Sequence, residues 1–192
     1  MGTPAKVLAP GDVRRLMTSV ASRRHGLRDR ALVTLSFKAG LRACEMAGLD
    51  WSMVLGPDGR IGDSLQIAGD IAKNGRGRRV PLHPDLKTAL LKLHGRQDRP
   101  RRGPVIRSQQ GDHMTPKSVV NLFRELYRGV GLDGCSSHSG RRTFITRAAR
   151  AVARAGGSLR DVQELAGHRS LNMTERYIEG DRDAQRKLVR ML

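Results

Sequence analysis

Six side chains of the kinds that handle phosphate are spread along this 192-residue chain: Arg42, Lys73, His138, Arg141, His168 and Tyr177. A guanidinium is always charged and can grip two phosphate oxygens at once, an imidazole or an ammonium can pass a proton, and a phenol can act as a nucleophile once its proton has an acceptor. Each piece alone carries little information. With 29 arginines and six histidines, a His-x-x-Arg spacing is expected about once by chance, and His25 to Arg28 is a second copy read as accidental. A lone tyrosine in a helical pattern is more often packing than nucleophile. Order and spacing therefore have to decide.

Composition narrows the partner. Thirty-six Lys plus Arg stand against 18 Asp plus Glu, a formal net charge of +18, and only seven of the bases are lysine. That balance argues against a neutral-metabolite enzyme and for a polyanion. Aromatic residues make up 3% of the chain, too few for a row of stacking platforms on single-stranded bases, so the phosphates of duplex DNA are the expected target. Cys44 and Cys135 belong to no C-x-x-C pair or zinc-spaced cluster, so no metal site is expected and both cysteines are read as structural. No apolar run approaches 18 residues and no signal peptide is present, from which a reduced cytoplasmic protein with no membrane partner is expected.

The elements that must position those six residues follow from periodicity. A helix opens near Pro10, a second covers Leu27 to Ala39 and is closed by Gly40, and a short one covers Arg42 to Leu49. The period then changes: Trp51 to Leu55, Ser64 to Ala68 and Arg78 to Leu82 predict a small three-stranded antiparallel sheet, with Lys73-Asn74-Gly75 turning between the last two strands. Pro84 to His94 returns to helix, and Arg96 to Gly103 reads as an exposed loop or linker. Further helices are predicted over Thr115–Val130, His138–Ala155, Ser158–Ala166, Ser170–Tyr177 and Asp181–Leu192. Tyr127 lies in an amphipathic run and reads as packing. The class is α+β, mostly helical.

In that order, Gly40-Leu41-Arg42-Ala43-Cys44-Glu45, Lys73 in a basic hairpin, His138-x-x-Arg141, Leu165-x-Gly167-His168 and Tyr177 nine residues later resemble the tyrosine recombinase (phage integrase) family. Arg78-Arg79-Val80-Pro81-Leu82, Arg141-Arg142-Thr143-Phe144 and Thr174-Glu175-Arg176-Tyr177 match its look as well, so the resemblance runs from about Pro10 to Glu179. It implies a site-specific recombinase in which Tyr177 attacks a DNA phosphodiester to give a 3′-phosphotyrosyl link. Arg42 and Arg141 would hold the non-bridging oxygens, Lys73 would protonate the leaving 5′-oxygen, His138 would relay the tyrosine's proton, and His168 would bond the phosphate. Glu45 would orient a neighbour in the site, while Arg76, Arg78, Arg79 and Arg142 would contact DNA.

The resemblance further implies that no cofactor or metal is needed, because arginines supply the charge that divalent cations supply elsewhere and the bond energy is kept in the phosphotyrosine. Arg42 lies about forty residues from Met1. That spacing predicts one catalytic domain over residues 1–192 without an N-terminal core-binding domain, either a catalytic fragment or, the favoured expectation, a chain like the short members related to fimbrial DNA inverters. Tetramer assembly on DNA, help from an accessory protein and docking of Asp181–Leu192 on a neighbouring subunit are the corresponding expectations. A type IB topoisomerase-like relaxing enzyme and a non-catalytic DNA-binding regulator on the same fold are the alternatives.

Overall fold

The structure, a computed structural model, describes residues 5–73, 75–177 and 189–190. Its centre is α2 (Gly26–Lys38), where the consecutive residues Ala31 to Phe37 are all buried. A helix apolar on every side must be surrounded. It is: α1 (Pro10–Ala21), α4 (Pro84–Arg96) and α6 (Ser137–Ala151) pack around it, and α5 (Pro116–Gly129) closes on α1, α6 and the short α3 (Ala43–Ala47). Of the two polar residues of the buried run, Thr34 is bonded locally and the Ser36 hydroxyl has no hydrogen-bond partner among the described residues. Thr34 donates its hydroxyl to the carbonyl of Arg30 at 2.8 Å, and Ser36 lies where α6 approaches most closely. That approach requires Gly140, because a Cβ there would run into the Ser36 side chain and the Phe37 ring.

From α6 the chain turns outward to a smaller cluster. Ile145, Val162 and Ala166 bury one another beside Phe144 and Tyr177, so α6 joins the main core to α7 (Leu159–Ala166) and α8 (Leu171–Glu175). A reciprocal cap starts α6: Ser136 accepts from the His138 N–H at 3.3 Å while Ser139 accepts from the Ser136 N–H at 3.0 Å. Ser158 and Asp161 form the same device at α7, where the Ser158 N–H donates to the Asp161 carboxylate at 2.7 Å. Gly167, with φ of +62°, ends that helix in the left-handed region.

The sheet has two strands among the described residues rather than the three expected. β1 (Ser64–Ile67) and β2 (Arg78–Pro81) run antiparallel, with Leu65 opposite Val80 and both buried, and Ile67 opposite Arg78. The predicted first strand is instead a short 3-10 turn over Trp51–Met53, followed by a single bridge between Leu55 and Ile61. Side-chain anchoring explains the difference. Asp50 accepts from the Ser52 N–H at 2.8 Å, and the buried Trp51 ring packs 4.5 Å from His94 while its indole N–H donates to Gln97 at 3.0 Å.

Lys73 and Gly75 lie in a ten-residue connection, 68–77, longer than the tight hairpin expected, and Asn74 lies outside the described residues. The arginine-rich stretch after α4 is a loop pinned to Asp50, whose carboxylate accepts the Gly103 N–H at 2.7 Å. Of the expected helix over Asp181–Leu192, only Val189 and Arg190 are described. No helix among the described residues is long and apolar enough to cross a membrane.

Candidate active site

The site is assembled at the C-terminal end of α7. A helix end leaves carbonyls without intrahelical partners and carries partial negative charge. Here three consecutive carbonyls each take an arginine from a different part of the chain. Leu165 accepts Arg78 Nε at 3.0 Å, Ala166 accepts Arg141 Nη2 at 2.6 Å, and Gly167 accepts Arg42 Nη2 at 3.3 Å. Residues separated by up to 125 positions are thereby gathered on one turn.

Arg141 is 4% exposed and donates its second guanidinium nitrogen, Nη1, to the carbonyl of Gly40 at 2.6 Å. Gly40 can present that carbonyl because its φ of +63° ends α2 sharply, and a Cβ there would strike the Phe144 ring. Burial, with the neighbouring charge of Arg42, lowers the Arg141 pKa from its ordinary value. Two carbonyls thus hold the plane of the fork, leaving its remaining N–H groups for an anion.

Arg42 follows two residues after that glycine, anchored by the fully buried Leu41. Its backbone N–H donates to Glu45 Oε2 and its Nη1 to Glu45 Oε1, both at 2.9 Å. Glu45 is fully buried and receives Arg78 as well, Nη1 at 2.8 Å and Nη2 at 2.9 Å. Burial pushes the Glu45 carboxyl up, but the bonds and charges of Arg78 and Arg42 prevail and hold it at about 2. Arg78, expected on DNA, is turned inward in this arrangement. Its side chain is 8% exposed, and all three guanidinium nitrogens are committed to Glu45 and Leu165.

His168 leaves the α7 turn as a buried ring whose Nδ1 lies 3.0 Å from the Thr174 hydroxyl. Burial, then the charges of Arg141, Arg42 and Arg78, push its pKa down to about 4, so the ring is neutral at pH 7. Tyr177 stacks on it with ring centroids 5.4 Å apart and planes 24° from parallel. The tyrosine ring carries Arg142 on a face, Cζ 5.5 Å from the centroid, and its carbonyl accepts from Thr146 at 3.3 Å. Arg42, Arg141, His168 and Tyr177 are thus brought together.

His138 stands exposed on the first turn of α6. Partial burial, then the charges of Arg141, Lys73 and Arg42, lower its pKa, which places it within electrostatic reach of the same cluster. Lys73 and Arg76 are exposed on the connection between the strands, and Arg79 is exposed on β2 with its Nε on the Ser64 hydroxyl at 2.7 Å. Tyr127 lies 1% exposed in the main core, stacked on Phe123, as its helical pattern predicted. Reasoning from sequence missed Thr174, fully buried against His168, and Gln163, whose side chain donates to the His168 carbonyl at 3.2 Å. Their helical positions could have marked them: Gln163 and Thr174 flank His168 at five and six residues, inside the run already singled out.

A family described as Phage integrase family matches residues 6–183. The chain belongs to the phage integrase family. Among curated members, it is 34% identical over 159 residues to the tyrosine recombinase XerC of Rhodospirillum centenum, which covers 81% of this chain and 43% of that protein. Against XerC of Brucella suis biovar 1 it is 30% identical over 179 residues, 90% of this chain and 54% of that one. The chain spans about half the length of these family relatives. Two solved structures share the fold. XerA recombinase matches all of this chain and 64% of its own, with a TM-score of 0.75 and 21% identity. The Tn1549 transposon integrase, solved in complex with a circular intermediate DNA, matches all of this chain and 67% of its own, with a TM-score of 0.78 and 18% identity.

Proposed function

We propose that residues 6–183 are the catalytic domain of a site-specific recombinase that cuts and rejoins duplex DNA through a covalent bond to Tyr177. The observation that carries this reading is the convergence of Arg42, Arg141, His168 and Tyr177 on the α7 turn, with two guanidinium groups oriented by carbonyls and a tyrosine ring stacked on a neutral imidazole. Family membership and the DNA complexes of the Tn1549 and XerH proteins support duplex DNA as the substrate.

In the forward step the Tyr177 hydroxyl oxygen bonds to the scissile phosphorus as the bond to the 5′-oxygen breaks. The phenolic proton passes to His138, whose lowered pKa leaves the ring neutral and able to accept it at pH 7. Lys73 gives a proton to the leaving 5′-oxygen, a task closed to the arginines around it. Arg42 and Arg141 hold the non-bridging oxygens as negative charge builds on them, each contributing at least about 100-fold to the rate if oxyanion-hole magnitudes transfer. His168, its Nδ1 3.0 Å from the Thr174 hydroxyl, takes in this proposal the tautomer with the proton on Nε2 and donates it in a hydrogen bond to the phosphate. Attack by a second strand's 5′-hydroxyl on the phosphotyrosine reverses the steps and rejoins DNA, so no external energy source enters. A tetramer on DNA and an accessory DNA-binding protein are part of the same proposal.

The test is a covalent trap. Protein and Tyr177→Phe are incubated with sheared genomic duplex DNA in EDTA, denatured, and the protein-linked fragments sequenced. Adducts that require Tyr177 and accumulate at one or two sites are expected. Adducts without site preference would move the assignment to DNA relaxation, and DNA binding without any adduct would move it to a regulator.

A further inference from the structure

Away from Tyr177, a cavity of about 610 Å³ opens where the turn from α1 into α2 meets the end of α4 and the segment at Arg107. Its wall carries Arg24, Arg30, Lys92, Arg96, Arg107 and the ring of His25. The His25-to-Arg28 spacing set aside as accidental in the sequence lies in this cavity. Two further arginines there are already neutralised: Arg23 Nε and Arg28 Nη2 bond opposite oxygens of the buried Asp29 at 2.9 and 2.8 Å, and Arg23 also meets Glu125 at 2.6 Å. Among the described residues, Arg24, Arg30, Lys92, Arg96 and Arg107 make no ion pair; Arg30 feels Asp85 only at a distance.

Two nitrogens at this wall, His25 Nε2 and Arg107 Nε, are shielded from solvent and have no hydrogen-bond partner. A buried donor left unpaired costs about 1–3 kcal/mol, more when charged. Arg24, Arg30, Lys92, Arg96 and Arg107 line one hollow without a carboxylate of their own, and an anion with several oxygens that enters it can pair with more than one of them. His25 is also the N-cap of α2 and makes no side-chain cap bond, so the positive end of a 13-residue helix faces the same region. A single carboxylate would answer one or two of these groups. A phosphate chain offers oxygens to several of the cations at once, and guanidinium forks match those oxygens in pairs.

We infer that this cavity is a second phosphate-binding site, built for an anion bearing more than one phosphate charge. It is separate from the Tyr177 site: α2 runs from His25 at the cavity to Gly40 at the active site, about 20 Å at 1.5 Å per residue. The shared chemistry is the phosphate group, presented either by a free polyphosphate compound or by the backbone of a DNA segment other than the one held at Tyr177.

Calorimetric titration with sodium triphosphate tests the site, using the full chain, the double variant Lys92→Glu/Arg96→Glu and, as a control for anion binding at the active site, Arg42→Gln. Lys92 and Arg96 are exposed, so the double variant keeps the fold, and circular dichroism checks that it does; Lys92→Gln/Arg96→Gln gives the graded, uncharged case. Triphosphate binding is expected to persist in Arg42→Gln, to weaken at least 10-fold in the reversed variant and to fall in between in the neutral one. In parallel, a 20-base-pair duplex is titrated at several salt concentrations. A salt slope that drops by about one per lost contact in the reversed variant assigns the site to DNA backbone, and an unchanged slope assigns it to a free polyphosphate. Triphosphate and duplex affinities that are both unchanged in a folded reversed variant overturn the inference, as does triphosphate binding lost in Arg42→Gln alone.

Discussion

Arg78 and Glu45 form a side-by-side pair, Nη1 to Oε1 at 2.8 Å and Nη2 to Oε2 at 2.9 Å, inside the protein. Because the same carboxylate holds the backbone and guanidinium of Arg42, strand β2 fixes the direction in which Arg42 points. Arg78 is thus a positioning residue. Arg78→Ala leaves Glu45 with Arg42 alone and removes two of its four hydrogen bonds, a charged loss of about 1.5–3 kcal/mol. Arg78→Lys keeps the charge but loses the fork and the bond to Leu165, and should recover part of the stability while cleavage stays slow. Urea unfolding read beside single-turnover cleavage separates the two effects. An Arg78→Lys variant as fast as the parent would remove the positioning role.

Acid should unfold the protein through two overlapping losses. Glu45 has a folded pKa of about 2 against an ordinary 4.5, so its contribution is complete above about pH 4.5 and fades as pH falls toward 2. His168 has a folded pKa of about 4 against an ordinary 6.5. The unfolded chain therefore binds the extra proton first, and stability is lost as pH falls from about 6.5 to 4. Separations of this size correspond to about 3 kcal/mol each. Urea midpoints at pH 7, 5 and 3 should fall at each step. His168→Gln should flatten the change between pH 7 and 5 and reduce the one between pH 5 and 3 to the share carried by Glu45; a midpoint indifferent to pH from 7 to 5 in the parent would contradict the assignment.

What the sequence made legible is the part whose signal is local. Gly40 closing α2 and the helices over His138–Ala155 and Ser158–Ala166 are each written within a few residues, and the fold forms them near those bounds. The Arg78–Glu45 pair was not legible because a basic run reports charge and not a partner 33 positions away. Trp51 to Leu55 carried a strand-like apolar pattern, but Gln97, His94 and Asp50 hold it as a turn, and only the folded chain brings the first two there. The same reason hid the carbonyls of Leu165 and Ala166, whose role is backbone and leaves no mark on residue identity.

Gly140 should tolerate no side chain. A methyl group there meets Ser36 and Phe37 across the α2–α6 contact, which also carries Arg141 one residue on. Gly140→Ala is expected to destabilise by about 1–3 kcal/mol through overpacking, even though alanine is the better helix former. Cleavage should fall further than stability alone explains, because shifting α6 moves Arg141. Pairing it with Ser36→Ala removes the hydroxyl but leaves the Ser36 Cβ and the Phe37 ring 2.9 and 3.0 Å from the new methyl, so both losses should be recovered only in part, and no recovery at all would place the clash elsewhere.

Covalent cleavage should proceed unchanged in EDTA, since Arg42 and Arg141 supply the charge on the phosphate oxygens. DNA binding, in contrast, should weaken steeply with salt because Lys and Arg contacts to phosphate displace counterions. Adduct yield with EDTA and with magnesium, measured at one low ionic strength, checks the first expectation. Cleavage abolished by EDTA and restored by magnesium would refute it.

Arg42 and Arg141 differ in how much of the fold they hold, and lysine substitutions should expose the difference. Arg141 spans two carbonyls, Gly40 and Ala166, with separate nitrogens at 2.6 Å each. A lysine has one nitrogen and cannot reach both in that geometry, so Arg141→Lys should lose about 1.5–3 kcal/mol for a charged hydrogen bond in addition to any rate effect. Arg42 has a 13% exposed side chain and shares Glu45 with Arg78, which remains to compensate the carboxylate when Arg42 is changed. Arg42→Lys should therefore unfold at nearly the parental urea concentration. Both variants should lose at least about 100-fold in single-turnover cleavage, as expected when one arm of a charge clamp is blunted. Equal stability losses in the two would mean that the Gly40 and Ala166 bonds contribute little to the fold, and that Arg141 is held by packing alone.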